Sequence, residues 1–130
     1  MATRPETGRT ERRTRGLLRV PFVRRCVLEL GGAPAESAFL VNINVFGAYL
    51  ARDAMPAMGD AVRIRFRVPA SEQEIALEGV VTWANARQQH PVHSLPPGFG
   101  VKFHELAEDA RRCIEDVVED YVARNPQVLR

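Results

Sequence analysis

The sequence predicts a small antiparallel β-domain that ends in a single helix. Apolar and polar residues alternate with a period near two from Phe22 to Phe103, and the apolar residues then recur with the period of a helix. A period of two is typical of strands with one buried face. A period of 3.6 is typical of an amphipathic helix. The 130 residues are enough for one domain that buries its own core.

Three strands are predicted in the first part of the alternating region. The first covers about residues 21–30 and is followed by the turn residues 31–34, Gly-Gly-Ala-Pro. The second covers about residues 38–43. The segment 42–47, Asn-Ile-Asn-Val-Phe-Gly, interrupts the apolar pattern as a tight turn or a bulge does. A short third strand follows at residues 48–50.

The fourth strand shows the clearest alternation in the chain. Apolar residues occupy every second position from Val62 to Val68, and the residues between them are Arg63, Arg65 and Arg67. This arginine row is either a solvated face or a platform for nucleic acid. No exposed aromatic residues interleave with the arginines to stack on bases, so the sequence favours the solvated face.

The fifth strand is predicted to be the longest, and a polar loop separates it from the sixth. Its apolar residues of one parity are expected on the same face: Ile75, Leu77, Val81 and Trp83. The loop, residues 85–98, contains His90 and His93. Pro91 separates these histidines, and no carboxylate or cysteine lies near them in sequence, so a metal site is not favoured. Residues 99–103 then alternate and complete the sheet.

A helix is predicted from about residue 107 to the Asn125-Pro126 pair. Its apolar residues fall on one stripe, which consists of Ala110, Cys113, Ile114, Val117, Val118, Tyr121 and Val122. Such a stripe usually covers an open end of a sheet, and docking of a partner protein is the alternative. The opposite face is acidic and carries Glu108, Asp109, Glu115, Asp116, Glu119 and Asp120.

Charge is distributed unevenly along the chain, although the net charge is only +2. Residues 1–25 contain eight arginines against Glu6 and Glu11, so this segment carries +6 and the rest carries −4. A segment with this excess of positive charge is expected to bind anions. We expect a solvated tail around Arg4, Arg9, Arg12 and Arg13. We expect Arg15 and Arg19 to bind a ligand, because two guanidinium groups four residues apart can hold phosphate oxygens and a guanine edge.

The remaining features favour a binding module over an enzyme. The sequence contains no Ser-His-Asp order, HExxH motif, P-loop or zinc-ligand cluster. Cys26 and Cys113 lie within apolar patterns, so we expect two reduced core cysteines and a cytoplasmic location. No apolar stretch has the length of a signal peptide core or of a membrane span, so neither export nor membrane insertion is expected.

The order of the motifs resembles that of the PilZ domain family, whose members are bacterial receptors for cyclic di-GMP. The resemblance covers roughly residues 11–122. Arg15-Gly-Leu-Leu-Arg19, followed by Val20-Pro21, resembles the RxxxR motif of the family, and Asn42-Ile-Asn44-Val-Phe-Gly47 resembles its (D/N)xSxxG motif. Two later segments resemble the late strands of the family, namely Gly79-Val-Val-Thr-Trp83 and Gly98-Phe-Gly100-Val-Lys-Phe103.

This resemblance implies a fold, a division of the chain and a site. The implied fold is all-β with a C-terminal helix, a six-stranded antiparallel PilZ-type β-barrel. The implied parts are a flexible arm at 1–14, a PilZ domain at 15–124 and a tail at 125–130, with the barrel at about 20–104 and the helix at about 106–123. The implied ligand is cyclic di-GMP, with no other cofactor, and it would bind to Arg15, Arg19, Asn42, Asn44 and Gly47. A protein effector is also implied, and a monomer and a homodimer fit equally well.

Asn44 stands where the family has serine, and this difference leaves two alternatives open. An asparagine tolerates the backbone of a turn and can hydrogen-bond a guanine, which would preserve binding. Alternatively, its larger amide closes the pocket, and the chain is a degenerate member that acts through protein contacts. A third alternative is nucleic-acid binding by the basic arm. It is disfavoured because the arginines do not spread over a folded face.

Overall fold

The computed structural model describes residues 18–68, 71–86 and 95–129. Within these ranges six antiparallel strands form a closed barrel, and one α-helix follows them. The strands are β1 (Val20–Leu30), β2 (Glu36–Ile43), β3 (Gly47–Ala51), β4 (Ala61–Arg67), β5 (Glu74–Asn85) and β6 (Gly98–Phe103). The helix is α1 (Glu108–Arg124), and a short 3₁₀ helix (Pro126–Leu129) follows it. The six-stranded antiparallel barrel with a C-terminal helix is confirmed.

The order of the strands around the barrel is β1-β2-β3-β6-β5-β4, and β4 closes onto β1. The longest strand is β5, with 12 residues, as the sequence predicts. The predicted arm at residues 1–14 lies outside the described residues, as do Arg15, His90 and His93.

The core of the barrel is built from the inward-facing residues of the strands, which occupy every second position, as the period of two requires. Each strand contributes at least one fully buried side chain, and these include Leu28, Leu40, Leu50, Ile64, Leu77 and Phe99. The arginine row of β4 points away from this core. Arg63 and Arg67 are exposed and Arg65 is half-buried, so the row is solvated only in part.

Helix α1 packs on two separate apolar clusters. Ala110 and Ile114, in its first half, belong to the core of the barrel. Val118 and Val122, in its second half, form another cluster with Val20 at the start of β1. The helix ends where predicted, because the backbone N–H of Asn125 donates to the carbonyl oxygen of Tyr121 and closes the last turn. The apolar stripe therefore covers the barrel and also holds the beginning of β1.

The structure corrects the predicted position of Trp83. A β-bulge between Val81 and Trp83 shifts the register of β5 by one residue, so Val81 faces the core and Trp83 faces outward. Trp83 keeps 40% of its surface exposed. The prediction that it shares a buried face with Val81 is wrong, because alternation holds only while the ladder is regular.

The two cysteines are both free thiols, and they differ in burial. Cys26 is buried inside the barrel, and this burial raises the pKa of its thiol to about 11. Cys113 is only partly buried, at the edge of the core, so the prediction of two core cysteines holds fully for Cys26 alone. No helix among the described residues is long and apolar enough to cross a membrane.

Candidate functional site

The turn between β2 and β3 is held together by the side chain of Asn44. Its Oδ1 atom accepts hydrogen bonds from the backbone N–H groups of Phe46 (2.8 Å) and Gly47 (3.0 Å). The backbone N–H of Asn44 donates to the carbonyl oxygen of Gly47 at 2.9 Å. This arrangement is an Asx turn, in which a short polar side chain replaces a backbone acceptor. Asn44 is 6% exposed, so its amide is part of the turn and not of the open surface.

Gly47 follows this turn at a place where no side chain fits. A Cβ atom at Gly47 would overlap the carbonyl oxygen of Val101 on β6 and would lie 3.2 Å from Nη2 of Arg19. The absence of a side chain therefore lets β3 pair with β6 from the first residue of β3, with Gly47 opposite Lys102. It also lets the Arg19 guanidinium approach the backbone of the turn.

Arg19 is fixed at the start of β1 by its two neighbours in sequence. Val20 is buried against Val118 and Val122 of α1, and Leu18 packs on the same cluster. The guanidinium reaches Asn42, whose Oδ1 accepts a long hydrogen bond of 3.4 Å from Nη1. Although Arg19 keeps an exposed surface, neighbouring protein atoms desolvate the group and lower its pKa from the ordinary value. Arginine remains charged under such a shift, so the site presents a cation with spare donors.

An aromatic pair lies on the same outer face and was missed by the sequence analysis. Tyr49 pairs with Asn42 on β2 and with Gly100 on β6, and Trp83 pairs with Gly100 from the other side. Because Gly100 has no side chain, the two rings meet above it with their centroids 5.3 Å apart. A row of Asn42, Tyr49, Gly100 and Trp83 therefore crosses four strands of the barrel.

Tyr49 anchors this pair. Its hydroxyl donates to the carbonyl oxygen of Pro96 at 2.6 Å and accepts from Nδ2 of Asn85 at 3.2 Å. Desolvation raises the pKa of Tyr49 and the hydrogen bond from Asn85 opposes this rise. The ring is buried, whereas the Trp83 ring remains accessible. The sequence signal for this pair was the glycine at position 100, but the bulge that turns Trp83 outward has no clear signature in the sequence.

Four of the five predicted site residues are therefore brought together on one face. Arg19, Asn42 and Gly47 surround the β2–β3 turn, and Asn44 builds the turn from within. The fifth, Arg15, lies outside the described residues. The assembled groups are a cation, an amide acceptor and an aromatic surface. They suit an anionic ligand with a flat ring, because guanidinium groups bind phosphate and exposed aromatic rings stack on bases.

Comparisons with known proteins show the family of the chain. The family model named "PilZ domain" matches residues 8–120. Among solved structures, the chain is similar to the PilZ domain of CeSA from a cellulose-synthesizing bacterium, with a TM-score of 0.55 and 12% identity over 80% of this chain and 97% of that one. No curated protein matches the sequence.

The chain is also similar to the inhibitor of motility MotI/DgrA of Bacillus subtilis. The TM-score is 0.61 and the identity 15%, and the match covers 82% of this chain and 50% of that one. The chain thus spans half the length of that protein. At these identities the structural likeness shows the fold alone.

Proposed function

Because the chain belongs to the PilZ domain family, we propose that it is a receptor that binds cyclic di-GMP and transmits the binding event to a partner protein. The observation that carries this proposal is the position of the Arg19 guanidinium beside Asn42 and Gly47. The proposed activity is that of a binding module and not of an enzyme. Cyclic di-GMP carries phosphates and guanine edges, and a guanidinium can bind either in two-point fashion.

The geometry of Asn44 favours a functional receptor over a degenerate one. The Asn44 carboxamide oxygen is occupied by two N–H groups of the turn, which is a role that a serine hydroxyl can also perform. Asn44 is buried, so the amide does not project over the surface beside Arg19 and Asn42. We therefore assign Asn44 to shaping the turn and Arg19, Asn42 and Gly47 to contacts with the nucleotide.

Two further groups complete the proposed site. Arg15 would be the second clamp of the RxxxR motif. The exposed Trp83 ring would stack on one guanine, because every base offers a flat face to an aromatic side chain.

The start of β1 offers a route from the site to the rest of the protein. Leu18 and Val20 flank Arg19 in sequence and pack on Val118 and Val122 of α1. A ligand that holds Arg19 also favours the packing of these two residues on α1, so α1 is the element through which we propose that binding reaches an effector. One structural neighbour is an inhibitor of motility, so a motility effector in the cytoplasm is the first partner that we propose.

Isothermal titration calorimetry with cyclic di-GMP tests the proposal. The wild-type protein is expected to bind, and Arg19→Ala is expected to weaken binding by about five- to a hundredfold, the equivalent of one two-point arginine contact worth about 1 to 3 kcal/mol. Arg63→Ala is the matched control, because Arg63 is an exposed arginine on β4 and lies outside the site. It is expected to bind as the wild type does.

Three outcomes would count against the proposal. No heat of binding at high micromolar ligand would leave the degenerate interaction module as the better interpretation. Equal loss in Arg19→Ala and Arg63→Ala would mean that net charge, and not the site, holds the ligand. Binding of DNA that survives Arg19→Ala and Arg15→Ala but is lost without residues 1–13 would favour the nucleic-acid alternative.

A further inference from the structure

A second basic surface lies along β1 and β4, further along β1 than the candidate nucleotide site at Arg19. It is an open groove of about 440 Å³ between β1 and β4. We call it the seam groove, and its residues are Val23, Arg24, Arg25, Val27, Arg65, Phe66, Arg67 and Glu74. In the order β1-β2-β3-β6-β5-β4, the junction of β1 with β4 is opposite the junction of β3 with β6. The seam groove and the candidate nucleotide site share strand β1, since Arg19 directly precedes β1 and the groove begins at Val23.

The seam groove exists because β4 pairs only with the last part of β1. Their ladder contains only the pairs from Val27–Arg65 to Leu30–Val62. Nearer its N-terminus β1 continues beside β2 alone, and its register shifts between Pro21 and Arg24. Across the resulting gap, Nε of Arg24 donates to the carbonyl oxygen of Arg67 at 2.6 Å. A side chain thus replaces backbone pairing there and leaves a depression above it.

The positive charge of the seam groove is poorly neutralised. Four arginines line it, and Glu74 is the single acidic residue that the lining includes among the described residues. Arg24 and Arg67 donate to backbone carbonyl oxygens, which carry no net charge. Such an excess of guanidinium groups attracts carboxylates.

Arg65 supplies the least satisfied donor in the seam groove. Its closest carboxylates belong to Glu29 (3.7 Å) and Glu74 (3.8 Å), and both distances exceed hydrogen-bonding range. Its Nε atom is buried and has no hydrogen-bond partner within the described part of the chain. A buried donor without a partner costs free energy.

Apolar side chains are exposed next to these charges. Val23 keeps 75% of its surface exposed and Phe39, on the adjacent strand β2, keeps 45%. The guanidinium of Arg25 lies over the Phe39 ring at 5.4 Å. An occupant with both carboxylates and an apolar side chain complements this combination.

We propose that the seam groove is a docking site for an acidic segment of a partner protein, with carboxylates directed to Arg65 and Arg67 and an apolar residue packed on Val23. A protein segment fits better than nucleic acid, because its apolar side chains can pack on the exposed Val23, a contact that a phosphate backbone does not offer. This docking does not depend on nucleotide binding.

The test uses the full chain and a fluorescein-labelled peptide of three Glu-Leu-Asp-Ser repeats, with fluorescence anisotropy as the readout. Wild-type protein is expected to bind this peptide and not the neutral Gln-Leu-Asn-Ser counterpart. The double variant Arg65→Gln, Arg67→Gln is expected to lose at least about tenfold in affinity. The charge-matched control is Arg63→Gln, Arg111→Gln, which changes two exposed arginines outside the seam groove and is expected to lose less than about twofold.

A second variant separates binding from folding. Val23→Asp alters a side chain that is mostly exposed, so it is expected to leave the melting temperature unchanged while repelling the acidic peptide. Titrations of the same variants with cyclic di-GMP are expected to match the wild type. A failure of the docking proposal is therefore distinguishable from a failure of the proposed nucleotide site. Equal losses in the two double variants, no wild-type binding at about millimolar peptide, or tighter binding of an oligonucleotide through Arg65 and Arg67 would each overturn the proposal.

Discussion

The two opposite junctions of the barrel are closed by different means. At the junction of β3 with β6, the ladder runs from Gly47–Lys102 to Ala51–Gly98 without a break, and backbone lies against backbone. At the junction of β1 with β4, pairing stops at Val27, and the side chain of Arg24 spans the rest. The first kind of closure leaves no space for a side chain at Gly47 or Gly98. The second leaves a groove lined with arginines.

This difference between the two junctions predicts where the chain tolerates substitution. Backbone in close approach cannot move away from an added side chain without breaking hydrogen bonds on both strands. A long side chain that bridges a gap can be replaced by water, because the gap is already open to solvent. The cost of a mutation should therefore fall from the β3–β6 junction to the β1–β4 junction.

The largest effect is expected for Gly47→Ala. The new Cβ would overlap the carbonyl oxygen of Val101, which is backbone and cannot rotate away. We expect the free energy of unfolding to fall by about 3 kcal/mol, the upper part of the usual range for overpacking. Urea denaturation measures this change. Gly32→Ala is the matched control, because a Cβ there meets nothing within 4 Å, and its stability should stay close to that of the wild type.

An intermediate effect is expected for Asn44→Ala at the turn beside the same junction. The substitution removes the acceptor of the Phe46 and Gly47 N–H groups, one of which is buried. Loss of a buried acceptor costs about 1 to 3 kcal/mol, so we expect a loss of about 2 kcal/mol by denaturation. Asn44→Ser supplies a hydroxyl acceptor and is expected to recover at least half of that loss. No difference between the two variants would contradict the assigned role of the amide.

The smallest effect is expected for Arg24→Ala at the β1–β4 junction. It removes the hydrogen bond to the carbonyl oxygen of Arg67, which lies at an exposed strand end where water can replace the donor. We expect a loss of about 1 kcal/mol in the free energy of unfolding. Arg25→Ala, one residue further along and without that bond, should cost less. A loss for Arg24→Ala as large as that for Gly47→Ala would remove the distinction between the two junctions.

Much of the fold could be predicted because each strand of the barrel obeys a local rule. Alternation identifies Val62, Ile64 and Phe66 as inward-facing, and all three are buried. The same rule fails for Trp83, since the bulge after Val81 depends on how β5 pairs with β6. A bulge is a property of two strands together, and the sequence of one strand does not encode it.

The site shows the same division between local and non-local information. The segment from Asn42 to Gly47 could be predicted as a turn because an Asx turn is made by residues adjacent in sequence. The contact of Gly47 with Val101 could not, since the two residues meet only when the barrel closes. The seam groove was missed for the same reason: the arginines of β1 and β4 become neighbours only through the register Val27–Arg65.

The small cluster of Val20, Val118 and Val122 has a thermodynamic consequence. Through this cluster the residue next to Arg19 packs on the last turns of α1. The first half of α1 packs separately on the barrel core, through Ala110 and Ile114. A nucleotide that favours the docked cluster by some factor is, by reciprocity, bound more tightly by that same factor when the helix end is docked. If the proposed nucleotide site is correct, a partner that pulls the end of α1 away would weaken nucleotide binding without touching the site.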